Sequence, residues 1–360
     1  DMASEIIVKK PWYSPARILR GLSEANRYPV LPMLVLLVVL VIPAVFAPLI
    51  APHEPMVGDL KQRLLPPVWV GEQTTEKTVV ELITASNRAN EMRLSDAEIQ
   101  VRIGKAKIIT SGAENSDRPV VPGDQIEIVT QRGGKATYLL GTDKVGRDIL
   151  TRIIYGSRIS IIVAAIAIVI AGTIGTTLGI TAGYFRGWVD AVIMRLVDIS
   201  LSIPIILMAL VLVAALGASF ETIVIVLVIF LWAQYARQAR GETLTVRVQD
   251  YVSRAKVSGA SDRRIMLRHI FPNVFNSIVV LATLQVGFVI ILESTLSFLG
   301  AGIPRPQPAW GLMVADGREL IITHWWVSLF PGVAIMLVVM SMNLMGDWLR
   351  DWLDPKQRQV

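Results

Sequence analysis

The residues best placed to do chemistry lie in Asp250–Pro272, DYVSRAKVSGASDRRIMLRHIFP, a basic segment between two strongly apolar stretches. Val252, Ala255 and Lys256 fall on one helical face, and Gly259-Ala260 permits a sharp bend. Ser261 and Asp262 are placed to cap a second helix whose first turn carries Arg263 and Arg264. Such a pattern makes and breaks no bonds. Its chemistry is docking, through Asp250, Tyr251, Ser253, Arg254, Ala255, Gly259, Ala260, Ser261, Asp262, Arg263 and Arg264. A second candidate is Glu293, set in an apolar stretch just before a Ser-Thr-Leu-Ser run that ends at Ser297. An ionisable group at membrane depth is a functional candidate by default. Glu293 reads as lining a solute path or as a buried partner joining two helices, the second being the plainer reading.

Other chemistries find no support. No Gly-x-x-x-x-Gly-Lys-Ser/Thr run occurs, so the chain has no phosphate-cradling loop of its own. His53, His269 and His324 are scattered and cysteine is absent, so no metal site is legible. No Ser/His/Asp set shares one depth, which argues against an intramembrane enzyme. The expectation is no catalytic residue, no bound cofactor and no metal. Trp310, Trp325 and Trp326 read as anchors at the membrane–water boundary.

The elements that must position these residues are apolar helices. Of 360 residues, 53% are hydrophobic, more than a soluble domain of this size carries. Six stretches read as spans: Val30–Ala51, Ile159–Tyr184, Ile203–Leu216, Ile223–Tyr235, Val274–Leu299 and Val327–Trp348. The third and fourth need flanking residues to reach across. Gly172, Gly175, Gly179 and Gly183 in the second span allow a close helix–helix approach, most simply within this chain. Arg195 and Asp198 read as an interfacial pair beside the third span.

The net charge of +6 fits topology and lipid contact rather than nucleic acid, because the basic residues sit beside spans. Lys9, Lys10, Arg17, Arg20 and Arg27, the basic 250–272 loop, and Arg350, Lys356 and Arg358 all fall on one side of a six-span chain. That side is the cytoplasm, which places both termini inside. The expected organisation is a cytoplasmic amphipathic tail (1–29), a first span (30–51) and an extracytoplasmic segment (52–158). A five-helix core (159–349) with the 250–272 loop and a tail (350–360) follow. Within the external segment, at about 67–139, TVVELI, EIQVRI and DQIEIV alternate with period two and turn residues separate them, which predicts a small β-rich insert. SDAEIQVRIGKAKI could instead begin as a helix capped by Ser95.

The 250–272 segment resembles the EAA loop of ABC-importer permeases, with Ser253-Arg254-Ala255, Gly259 and His269-Ile270-Phe271-Pro272 at the matching positions. Serine and arginine stand where that pattern has Glu-Ala. Four further stretches resemble the dipeptide/oligopeptide branch, its nickel-transporting members included, in the second-permease type. They are LGTDxxGRD at Leu140–Asp148, WAQYARQARGETL at Trp232–Leu244, ESTLSFLGAGIPRPQPAWG at Glu293–Gly311 and NLMGDWLRDWLDP at Asn343–Pro355. The resemblance implies an all-α polytopic membrane protein of six spans in the inner membrane, moving short peptides inward. Its implied partners are a homologous second permease, two ATP-binding subunits that hold ATP and Mg2+, and an extracytoplasmic substrate-binding protein. Nickel chelates, glutathione-like compounds and oligosaccharides are alternative cargoes, and a non-transporting scaffold or sensor is an alternative of another class. The insert departs from the short link usual in the branch.

Overall fold

The structure, a computed structural model, describes residues 29–78, 107–108 and 125–353. The amphipathic tail, EIQVRI, all but the first residue of TVVELI, the Ser95 cap and the residues after 353 lie outside the described residues.

The chain opens with α1 (Val30–Ile50), a 21-residue apolar helix that takes a π turn at Leu36–Val41. Three short strands follow: β1 (Gln73–Thr78), β2 (Lys107–Ile108) and β3 (Gln125–Gln131). They form one antiparallel sheet in the order β1-β3-β2, with Glu76 opposite Glu127 and Lys107 opposite Glu127 on the other edge. The alternation in DQIEIV is therefore a strand. The helical core is α2 (Ile149–Phe185), α3 (Gly187–Ser202), α4 (Ile205–Leu216), α5 (Phe220–Arg247), α6 (Asp250–Val257), α7 (Asp262–Phe298, with a π turn at Met266–Ile270), α8 (Trp310–Gly317) and α9 (Trp326–Leu353).

Among the described residues, α1, α2, α5, α7 and α9 are long and apolar enough to cross a membrane, and α3 with α4 form a broken sixth candidate bent by 86°. Two expectations need correcting here. The second span starts at Ile149 rather than Ile159, because Asp148 caps it by accepting from the Thr151 backbone N–H at 3.1 Å. The third span is not continuous. Pro204 has no N–H to extend a helix, and it holds Ile203 in an extended conformation (φ −87°, ψ 125°), so the chain turns sharply.

The packing nevertheless requires a crossing there. Cβ atoms added at Gly175, Gly179 and Gly183 of α2 would collide in turn with the Trp232 carbonyl, the Ala236 carbonyl and the Thr243 side chain of α5. Contacts that advance together along both helices mean that α2 and α5 run parallel. The chain must return to the starting side between them, and α3 and α4 together make that return: α3 runs back along α5, from Asp190 beside Arg240 to Asp198 beside Arg237, and α4 follows. Its 12 residues rise about 18 Å. The glycine spacing thus serves packing inside this chain. A core of Val163, Ala167, Ala171, Ile223, Leu227, Leu231, Tyr235 and Val289 fills the space between α2, α5 and α7.

Trp310 and Trp326 are fully buried, not boundary anchors. The indole of Trp310 sits against Gly156, where any Cβ would collide with it, and donates to the Ile153 carbonyl at 2.9 Å. Trp326 donates to the Thr142 carbonyl at 3.3 Å. Trp325 alone of the three keeps substantial exposure, at 36%. Arg195 and Asp198 are not paired: Asp198 instead accepts from Arg237 of the neighbouring α5 at 2.8 Å.

Candidate functional site

The 250–272 segment folds as α6, a turn, and the start of α7. α6 ends in a glycine-terminated cap: Gly259 has φ +77°, its N–H donates to the Lys256 carbonyl, and the Ala260 N–H donates to the Ala255 carbonyl, both at 3.1 Å. These two bonds satisfy carbonyls that the helix end would otherwise leave open. The left-handed φ explains why glycine stands there. The sequence expectation that Ser261 caps α7 through its side chain is not met, since that side chain makes no capping bond. Asp262 instead accepts from the Tyr184 hydroxyl at 2.5 Å, tying the turn to the C-terminal end of α2.

Two apolar residues root the loop. Val252 (3% exposed) and Ile265 (fully buried) pack with Ile180, Tyr184, Ala239, Ile270 and Val274, where α2, α5 and α7 end. The opposite face is polar and open. Asp250, Tyr251, Ser253, Arg254, Lys256, Ser261, Asp262, Arg263 and Arg264 are exposed, and Ala255 and Ala260 are half-buried. Among the described residues, Arg254, Lys256, Arg263 and Arg264 make no ion pair. Val257 stands 89% exposed at the tip. A cavity of about 360 Å³ lies behind α6, lined by Tyr184, Leu244, Arg247, Val252, Lys256 and Ile265 among others. Asp190 of α3 takes a two-pronged bond from Arg240 of α5 at 2.5 and 2.6 Å. The loop is thus a firmly seated projection with unpaired cations around an apolar tip.

A family model described as the inner membrane component of binding-protein-dependent transport systems matches residues 175–359. This chain belongs to that family. The match spans 185 residues (359 − 175 + 1), just over half of the 360, and contains α6, its turn and the whole of α7. Among curated relatives, the glutathione transport system permease protein of Pectobacterium atrosepticum is 42% identical over 224 residues, which cover 62% of this chain and 74% of that one. The dipeptide transport system permease protein of Alkalihalophilus pseudofirmus is 43% identical over 227 residues, 63% and 75% of the two chains. A putative peptide transport system permease protein of Brucella suis is 41% identical over 219 residues, 61% and 74%. The chain is an ABC-importer permease subunit and a multi-pass membrane protein.

The second sequence candidate sits elsewhere in the permease. Glu293 is 1% exposed, and its Oε1 accepts from the Ser297 hydroxyl at 2.7 Å. Ser297 in turn accepts from the Ile303 N–H at 3.3 Å, and Gly302 packs against it so closely that no Cβ would fit. The pair therefore pins the chain that returns from α7 to α8, and neither residue comes near the 250–272 loop.

Sequence reasoning missed the charge cluster at the opposite end. Asp143 accepts from the backbone N–H groups of Val145 (2.9 Å) and Arg147 (3.0 Å) and from Arg147 Nε (2.7 Å). Asp316 of α8 meets Arg305 (2.5 Å), Lys144 (3.3 Å) and Arg147 (3.8 Å). Arg152, 1% exposed, donates to the carbonyls of Pro55 and Pro306. The Asp-x-x-x-Arg spacing at 143 and 147 was a visible signal for the first pair. Asp316 carried none, because its partners are more than ten residues away.

Proposed function

We propose that this permease subunit forms half of a translocation path for short peptides and couples it to two ATP-hydrolysing subunits through the 250–272 loop. The observation that carries the coupling is the seating of that loop. Its buried Val252 and Ile265 and the Tyr184–Asp262 bond join it to α2, α5 and α7 at once, while its cations and Val257 are left for another chain. A push on such a projection moves several spans together as a body, the motion alternating access requires. ATP and Mg2+ reside on the partner subunits. A homologous permease supplies the other half of the path, and an extracytoplasmic binding protein delivers solute. Both termini face the cytoplasm, on the side of the basic loops.

The names of the relatives support a peptide cargo, glutathione among them as a small peptide with an unusual linkage. Mild solubilisation of tagged chain from its native membrane, followed by mass spectrometry, tests the assembly. Co-recovery of a second permease and ATPase subunits bearing phosphate-binding loops is expected. Recovery of the chain alone would favour a scaffold. ATP-dependent uptake of labelled trialanine by the reconstituted assembly tests the cargo, and its absence would remove peptides from the proposal.

A further inference from the structure

The seam between α5 and α7 carries polar side chains at a depth where they are costly. Gln234 lies 14 residues after Phe220 and 13 before Arg247, and Gln285 lies 14 after Phe271 and 13 before Phe298, so each sits midway along its helix when α7 is counted from the end of its π turn. Gln285 is 6% exposed. Its side-chain NH2 donates to the Gln234 side-chain carbonyl at 2.5 Å. Two facing amides can exchange two hydrogen bonds, but this pair makes one. The Gln285 carbonyl and the Gln234 NH2 are left without a partner among the described residues. Exchanging O and N on both side chains leaves the same result, one free acceptor beside one free donor. Neither free group belongs to the fully buried polar atoms that lack a partner, and Gln234 is only half-buried, so both remain open to a molecule that can meet them.

The surroundings say what. On the outer side of the amide pair, Phe230 and Phe288 stack at 6.0 Å and 23°, with Phe288 37% exposed. On the inner side, Gln238 and the Ser277 hydroxyl both donate to Glu242 Oε1, at 3.3 and 2.9 Å, so that part of the seam is closed. An open face thus offers one free donor and one free acceptor beneath an aromatic plate. In an extended peptide, the N–H and C=O of a single residue point to the same side, as they do along a strand. They match the free pair one to one, whatever the side chains are.

We propose that Gln234 and Gln285 form a mid-membrane station that holds the backbone of an extended short peptide through one residue's N–H and C=O. The inference rests on the peptide reading above and adds where, and by which groups, the solute is held. Backbone recognition explains how one path passes peptides of varied sequence: the amide pair reads what all peptides share, and the phenylalanines give side chains an apolar surface.

The test uses the whole assembly with its own binding protein, reconstituted in liposomes, and two probes: trialanine, and its analogue with an ester in place of the central amide. The ester lacks the N–H. Wild-type assembly is expected to take up trialanine in preference. Gln285→Leu and Gln234→Leu are each expected to lower trialanine uptake about three- to tenfold, the value of one hydrogen bond. Each is also expected to bring the amide-to-ester ratio down by a similar factor. The binding protein is the same throughout, so its own discrimination cancels from that change. The double variant Gln234→Leu/Gln285→Leu restores an apolar helix contact and controls for folding. It is expected to assemble normally and to transport like the single variants. Wild-type ratios in the variants would overturn the station while leaving peptide import standing. Loss of the second permease on purification would also overturn it, by making the face a subunit contact. Absence of trialanine uptake by the wild type would remove both readings together.

Discussion

The two ends of the helical bundle use charge in opposite ways. At the end that carries Asp143, Arg147, Arg152, Arg305 and Asp316, the ionic groups meet one another, and the buried ones join loops distant in sequence. At the other end, Arg254, Lys256, Arg263 and Arg264 make no ion pair among the described residues, although the loop beneath them is firmly packed. The contrast separates two jobs. Charges buried with partners fix the geometry of this chain, because leaving any one of them unpaired is costly. Charges held out on a rigid base have no ion-pair partner among the described residues and stay exposed.

The contrast breaks most sharply at Asp143. Asp143→Ala leaves Arg147, whose side chain is 7% exposed, beside an empty position and removes the acceptor for two backbone N–H groups. A loss of about 3–5 kcal/mol is expected, read as a lowered unfolding midpoint and poor yield in detergent. Normal stability in that variant would show the cluster to be dispensable. At the inner end, Gly259→Pro removes the N–H that caps α6 and forbids the φ of +77°. Transport is expected to fall at least about tenfold with membrane insertion intact, since one turn rather than the bundle is altered. Wild-type uptake would mean that the bend transmits nothing.

Smaller effects refine the comparison. Reversing Arg263 and Arg264 to glutamate is expected to leave the unfolding midpoint unchanged and to weaken retention of the ATPase subunits several-fold, with the loss growing as salt is lowered. Unchanged co-purification would assign those cations to lipid. Val257→Ala, at an 89% exposed tip, is expected to change stability by less than about 0.5 kcal/mol, yet to reduce ATPase retention in a quantitative pull-down. The smallest effect concerns His324, whose Nδ1 lies 2.8 Å from the Thr323 hydroxyl and whose ring stands edge-on to Trp326. Burial holds its imidazole below the ordinary value of 6.5. The folded form therefore binds fewer protons than the unfolded one in this range. Its contribution is full above about pH 6.5 and is lost as pH falls below that. After correction for the intrinsic pH dependence of exchange, amide protection across 318–326 should fall modestly at pH 5.5, and His324→Asn should abolish that change.

Much of this was legible beforehand because it rests on local rules. Apolar runs of the right length mark spans, and Gly259 marks a left-handed turn. The bend in the 250–272 segment was visible because Gly259-Ala260 interrupts two short helical patterns. What escaped were features that depend on a neighbour. Trp310 looks like a boundary anchor until Gly156 is found beneath it, and Asp198 looks like Arg195's partner until α5 arrives with Arg237.

Composition and periodicity thus determined the class of molecule: a chain of membrane helices with a basic loop between two of them and strands in the segment after the first helix. Both follow from the cost of exposing peptide groups or charge to hydrocarbon, which acts residue by residue. Only the tertiary structure decided that α2 and α5 run parallel, that α3 and α4 together make the return between them, and that Gln234 meets Gln285 across a seam. Those outcomes depend on which surfaces come together, and a glycine or a glutamine has the same local signature whatever faces it.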